Sequence, residues 1–199
     1  MPAFTADWFS QHIPSWQAIV VPRLADHPCA HWLEVGSFEG RSALWALDNF
    51  LVGPRSTITC VDTWEPTVPG NGGDFEATFD ANVANRLNLF KRKGLSRRVL
   101  SMLPLGYYHG AYIDGSHETS EVLSDAELVL PLLRSHALLI FDDYELADTP
   151  VKWGDFLNST AKRKPVFGVH EAVDTFLKRH SGEFEVLDRG WQMFLRRRE

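Results

Sequence analysis

The chain has 199 residues and a mass of 22.6 kDa, the size of one globular domain. Its 20 Lys and Arg against 26 Asp and Glu leave a net charge of −6, a poor basis for a nucleic-acid binder that works by neutralising phosphates. With 44% hydrophobic and 23% charged residues it is neither disordered nor of low complexity, and no apolar run approaches the roughly 18 residues of a membrane-spanning helix.

Residues 1–30 are rich in Trp and Pro and read as a leading helix or a cap, ahead of a domain over residues 31–199. The N-terminus lacks the basic region and apolar core of a secretion signal. Cys29 and Cys60 make neither a disulfide framework nor a zinc site, so a cytoplasmic location is expected. Trp32–Val35 is a strand ending at Gly36. Residues 41–51 come next with helical periodicity, carried by Ala43, Leu44, Leu47, Phe50 and Leu51. Thr57–Val61 is a β-branched strand ending at Asp62, with Cys60 buried in it. Residues 63–74 hold Pro and Gly and form a loop.

A helix is expected over 75–87, a weak strand over 87–90 and a short helix over 96–103, stopped by Pro104. Ala111–Ile113 is a strand ending at Asp114. A helix over 119–133 carries the stripe Val122, Ala126, Val129 and Leu133. Ala137–Phe141 is wholly apolar, as a central strand covered on both faces should be. A helix over 170–178 leads to strands 184–187 and 193–195, close enough to pair as an antiparallel hairpin. This alternation predicts an α/β fold, a doubly wound and mostly parallel sheet with a C-terminal antiparallel hairpin.

Acidic residues collect where the strands end: Glu34, Asp62, Asp114, Asp142 and Asp143. That edge of an open α/β sheet is where ligands bind. Converging carboxylates repel one another unless a cation sits among them, so the set implies a cationic ligand, a metal, or both. The first turn, Glu34-Val35-Gly36-Ser37-Phe38-Glu39-Gly40, places Phe38 where a dinucleotide loop needs glycine. This argues against NAD or FAD and leaves room for an adenosine ligand without a pyrophosphate.

Glu34-x-Gly36-x-x-x-Gly40 followed by Asp62 resembles the class I S-adenosylmethionine (SAM)-dependent methyltransferases. Tyr112-Ile113-Asp114-Gly115-Ser116-His117 and Phe141-Asp142-Asp143-Tyr144 are similar to one branch of these. It contains the magnesium-dependent small-molecule O-methyltransferases, of macrocin type and, more distantly, of catechol and caffeoyl-CoA type. The segments around Asp62-Thr63-Trp64-Glu65, Phe79 with Asn82, and Val169 to Phe176 resemble it too, so the likeness runs from about residue 33 to 196. The resemblance implies SAM bound by Glu34, Gly36, Ser37, Gly40, Asp62 and Asp114, with Asp62 on the ribose hydroxyls. Trp64 either stacks on the adenine or anchors its loop. Asp114, Asp142 and Asp143 would hold magnesium or another divalent cation; some relatives carry Asn where Asp143 stands.

His117 and Asp114 are the candidate catalytic residues, with His117 read either as a general base or as a surface residue that only supports the site. The other histidines read as structural. Tyr107, Tyr108 and Trp153 are candidates for a substrate pocket or for the core. The expected partner is a small hydroxylated molecule, with no nucleic acid and no membrane; formation of a homo-oligomer is left open. Two other classes fit the same acids, a metal-dependent hydrolase and a non-catalytic cofactor-binding domain.

Overall fold

The computed structural model describes residues 2–65, 73–146 and 168–199. Two helices, α1 (Ile13–Ile19) and α2 (Val21–Leu24), precede β1 (His31–Val35). Then come α3 (Arg41–Asn49), β2 (Thr57–Asp62), α4 (Phe75–Val83), β3 (Leu89–Lys93) and α5 (Ser96–Leu100). The chain continues through β4 (Tyr108–Ile113), α6 (Thr119–Val129) and β5 (Leu133–Phe141), then α7 (Val169–Arg179), β6 (Phe184–Arg189) and β7 (Met193–Arg197).

The seven strands form one sheet in the order β3-β2-β1-β4-β5-β7-β6. β3 to β5 are parallel, and β7 runs antiparallel to both β5 and β6. This is the expected doubly wound sheet with its antiparallel pair, and β7 is an inner strand. The order reverses between β1 and β4, the kind of switch point at which open α/β sheets bind their ligands.

Successive residues of a strand face opposite sides of the sheet, so β1 contributes to two separate cores. Leu33 and Val35 join one with Ala111, Ile113, α6 and α7. Trp32 joins the other, with Ile58, Cys60, Tyr112, Ile140 and residues of α1 and α3. In that second core the fully buried Trp16 of α1 meets the rings of Phe9, Trp32, Trp45, Phe50, Tyr112 and Phe194. Burying a side chain of this size contributes about 2–3 kcal/mol and ties the N-terminal helix to the sheet.

Several boundaries differ from the sequence expectation. The first helix of the domain stops at Asn49, although Phe50 and Leu51 are still buried; burial continues the apolar pattern past the last helical turn. α6 ends at Val129, because Pro131 turns the chain through a short 3-10 segment into β5. β5 begins at Leu133, four residues before the apolar run, and its Arg134, Ser135 and His136 are exposed. β3 covers 89–93 and is an edge strand rich in Lys and Arg, charge that discourages further strand pairing.

Candidate active site

The polar residues predicted to act lie along the C-terminal edge of the parallel strands. Gly36 closes β1 with φ +86, and a Cβ there would overlap the Asp114 carbonyl at the end of β4. Only glycine lets these two strand ends abut, and Asp114 N–H donates to Val35 O at 2.7 Å. Gly40, at φ +82, enters α3 with room for no more than a close contact to Phe79. Between them Phe38 also holds a positive φ of 45.

Asp62 organises this turn. Its Oδ2 accepts from Ser37 N–H at 2.8 Å and Phe38 N–H at 2.9 Å, and its Oδ1 accepts from Trp64 N–H at 2.7 Å. Each carboxylate oxygen has two acceptor sites, so one remains on Oδ1. Trp64 is buried, with its indole Nε1–H on Phe38 O at 2.7 Å, its ring 4.7 Å from that of Phe79, and Lys91 Nζ 4.7 Å from its centroid. These contacts anchor the loop. Glu34 points to the same side, fully buried, and accepts from Ser42 Oγ–H, Ser37 Oγ–H and the Cys60 thiol. Burial raises its pKa to about 7 despite these donors, and the Asp62 charge adds to the rise.

Of the three aspartates expected to form one cluster, the structure brings Asp114 and Asp143 together and adds His117. One ligand atom from each of Asp114, His117 and Asp143 lies within 4.8 Å of the others. His117 Nε2 is 2.8 Å from Asp143 Oδ2, while Asp143 Oδ1 accepts from Trp191 Nε1–H at 3.0 Å. Asp142 is turned inward. Its Oδ2 accepts from Tyr112 OH at 2.8 Å and its Oδ1 from Gln192 Nε2–H at 2.8 Å, with His12 Nε2 3.8 Å away. Gln192 Oε1 in turn accepts from Trp16 Nε1–H at 2.8 Å. Tyr112 OH also lies 3.2 Å from Asp114 Oδ2. Burial pushes Asp114 and Asp142 above the usual carboxylate range. The charges of Asp142 and Asp143 add to this for Asp114, and that of Asp143 for Asp142.

Tyr112, Gln192, Trp16 and His12 form the supporting shell, and sequence reasoning did not find them. Tyr112 opens the stretch that runs to His117, but as an alternating apolar residue of a strand it carries no polar signal. Of the pocket candidates, Tyr108 is buried with its OH on Thr59 Oγ1, and Tyr107 stacks on His31 at the opposite edge. Neither reaches the acids. Trp153 lies outside the described residues.

The N-terminal segment lies over the glycine turn. Thr5 donates to Glu39 through its N–H and its Oγ–H, both at 2.7 Å, and Ala3 exchanges two hydrogen bonds with Asn82. Asp7 pairs with Arg41 at 3.3 Å, and Trp8 packs 5.1 Å from Phe38.

A glycine turn abutting an acid cluster at the switch point of a doubly wound sheet marks a Rossmann-like domain, a fold whose ligands are held at that edge. A family model described as a methyltransferase domain matches residues 33–144, more than half the chain, and the chain belongs to that family. No curated protein matches the sequence. Among solved structures it is similar to an O-methyltransferase from Bacillus cereus in complex with SAH, at 14% identity and TM-score 0.65, over 98% of this chain and 84% of that one. The O-methyltransferase TomG from Streptomyces achromogenes, involved in tomaymycin synthesis and solved with SAM, gives 16% identity and TM-score 0.62, over 86% and 74%. The methyltransferase MycE of the mycinamycin pathway, in complex with Mg and SAH, gives 14% and 0.64, over 98% and 51%. Among the described residues no helix is long and apolar enough to cross a membrane.

Proposed function

We propose that the protein transfers the methyl group of SAM to a hydroxyl oxygen of a small molecule, assisted by a divalent cation. The observation that carries this reading is the abutment of Gly36 against Asp114, which sets the glycine turn beside the acid cluster. When bound, SAM supplies an electrophilic methyl on sulfur; the C–S bond breaks as the O–C bond forms, and the hydroxyl proton must leave. Glu34, Gly36, Ser37 and Gly40 would shape the methionine and ribose side of the pocket, and the remaining acceptor site on Asp62 suits a ribose hydroxyl. Trp64, packed as it is, would act by fixing the turn. The TomG and B. cereus structures, solved with SAM and SAH, support the choice of ligand.

The donor set at Asp114, His117 and Asp143 fits a cation, because two carboxylates and an imidazole lie close together and Asp114 is held in an unfavourable field. Magnesium prefers oxygen, so Asp114 and Asp143 would hold it. Asp142, whose oxygens accept from Tyr112 and Gln192, would hold those two side chains in place beside the cation. A cation there would lower the pKa of an acceptor hydroxyl and fix its position. His117, whose Nε2 lies 2.8 Å from Asp143 Oδ2, would take the proton, and Asp143 would stabilise the charge that results. Residues 2–30 would cap the crevice, with Thr5 and Trp8 over the turn.

The test is a methyl-transfer screen of hydroxylated small molecules by mass spectrometry, with magnesium and with EDTA. The expected result is an O-methylated product whose formation falls in EDTA and in Asp143→Asn. Absence of SAM binding would remove the whole reading, and full turnover in EDTA would remove the cation from it.

A further inference from the structure

The opposite edge of the sheet, where the parallel strands begin, carries a second polar cluster that methyl transfer does not use. It stands roughly 17 Å from the acids, the length of β4 at about 3.3 Å per residue. His31 opens β1, His109 is the second residue of β4 and Arg134 the second of β5. His109 Nδ1 lies 3.0 Å from the backbone N–H of His31, and its Nε2 lies 2.9 Å from Arg134 Nη1. The first donor is a peptide N–H and cannot reverse, so Nδ1 must be the acceptor. The ring proton of a neutral imidazole is then on Nε2.

That assignment sets two donors against each other. The Nε2–H of His109 and the guanidinium of Arg134, which never accepts, converge without an acceptor between them. Protonating the ring does not help, since both its nitrogens would then donate. Burial, with the charge of His27 and Arg134, pulls the His109 pKa down to about 4, so the neutral form prevails near pH 7. An oxygen anion placed against both groups removes the conflict.

The surroundings suit one. His109 and Arg134 line an open pocket of about 600 Å³ together with Gly106, Leu133, Ser135 and Arg197. Among the described residues no carboxylate lines it. Arg197 is anchored by Nη1 donating to Leu130 O and Leu133 O, at 3.1 and 2.6 Å. Among the described residues neither Arg134 nor Arg197 enters an ion pair, whereas the adjacent Arg196 is paired with Glu185 at 2.6 Å. In a chain of net charge −6 this is a local concentration of uncompensated positive charge.

We propose that this pocket binds a phosphoryl group, free or carried by a small phosphomonoester, held by His109 Nε2–H, the Arg134 guanidinium, Ser135 and Arg197. A tetrahedral oxyanion presents acceptor oxygens in several directions and meets donors from β4, β5 and β7 together. A carboxylate has two oxygens in one plane and cannot.

Inorganic phosphate and glycerol 3-phosphate are titrated against sodium chloride and acetate at matched ionic strength, by calorimetry and thermal melting. Phosphate at ten times its Kd should raise Tm by about 3–5 °C in a chain of this size. Arg134→Gln, an exposed position, should weaken binding at least tenfold. The tighter of the two phosphates names the source. No saturable binding, equal binding of acetate, or unchanged affinity in Arg134→Gln overturns the proposal. Nitrogen-15 NMR of the histidines gives a check without a variant: His109 protonated on Nε2, with its signal moving on phosphate addition, supports it. Protonation on Nδ1 overturns it.

Discussion

Replacing Glu34 with Gln should stabilise the protein without SAM, and by an amount that depends on pH. The carboxyl is fully buried, and burial lifts its pKa from 4.5 to about 7. Between those values the folded state holds a proton that the unfolded state has released. Stability is therefore highest below the unfolded pKa and falls as pH rises toward 7; above 7 the loss is constant. A shift of this size corresponds to about 3 kcal/mol. Gln fills the same volume and can still meet Ser37, Ser42 and Cys60, yet it never ionises. Urea unfolding of both proteins should show the advantage of Glu34→Gln to be about 2–3 kcal/mol larger at pH 8 than at pH 5. A difference that does not change with pH would refute the reasoning, since it would mean that Glu34 ionises in the folded state as readily as in water.

Gly36→Ala should destabilise the fold by more than about 3 kcal/mol or prevent folding, because its Cβ meets backbone at a positive φ; thermal melting checks this. Asp62→Ala should weaken SAM binding by about 1–3 kcal/mol in calorimetry. It should also lower Tm, since three loop amides lose their acceptor. His117→Ala should reduce turnover about 10²- to 10⁴-fold while leaving SAM affinity unchanged; unaltered turnover would leave His117 a structural partner of Asp143.

The sheet was legible because its central strands are buried on both faces and end in acids. Ala137–Phe141 and Thr57–Val61 could hardly be anything else. β3 and the start of β5 were harder, since one is a charged edge strand and the other begins with exposed polar residues. The glycine turn and Asp62 were readable as a motif, and Asp114 with Asp143 and His117 as nearby motifs. The direction in which Asp142 turns was not readable. It depends on Gln192, which sits in an ordinary hairpin turn, and on Trp16, which lies in a helix far away in sequence. Neither spacing nor periodicity encodes such a meeting, because it arises from strand order. His12 lies at the same junction for the same reason.

The position of β7 bears on how the chain is made. It is the last strand of this sheet in sequence, yet it lies between β5 and β6. While a ribosome is still adding residues 193–197, β5 has an unpaired side, and Leu138, Leu139 and Ile140 on it await their neighbours Arg196, Leu195 and Phe194. An apolar open edge of this kind invites pairing with another nascent chain. Asp142 meanwhile waits for Gln192, already in the chain, to dock with β7. Closure of the sheet and the anchoring of Asp142 and Asp143 by Gln192 and Trp191 are therefore coupled, and a chain without β7 should aggregate more readily.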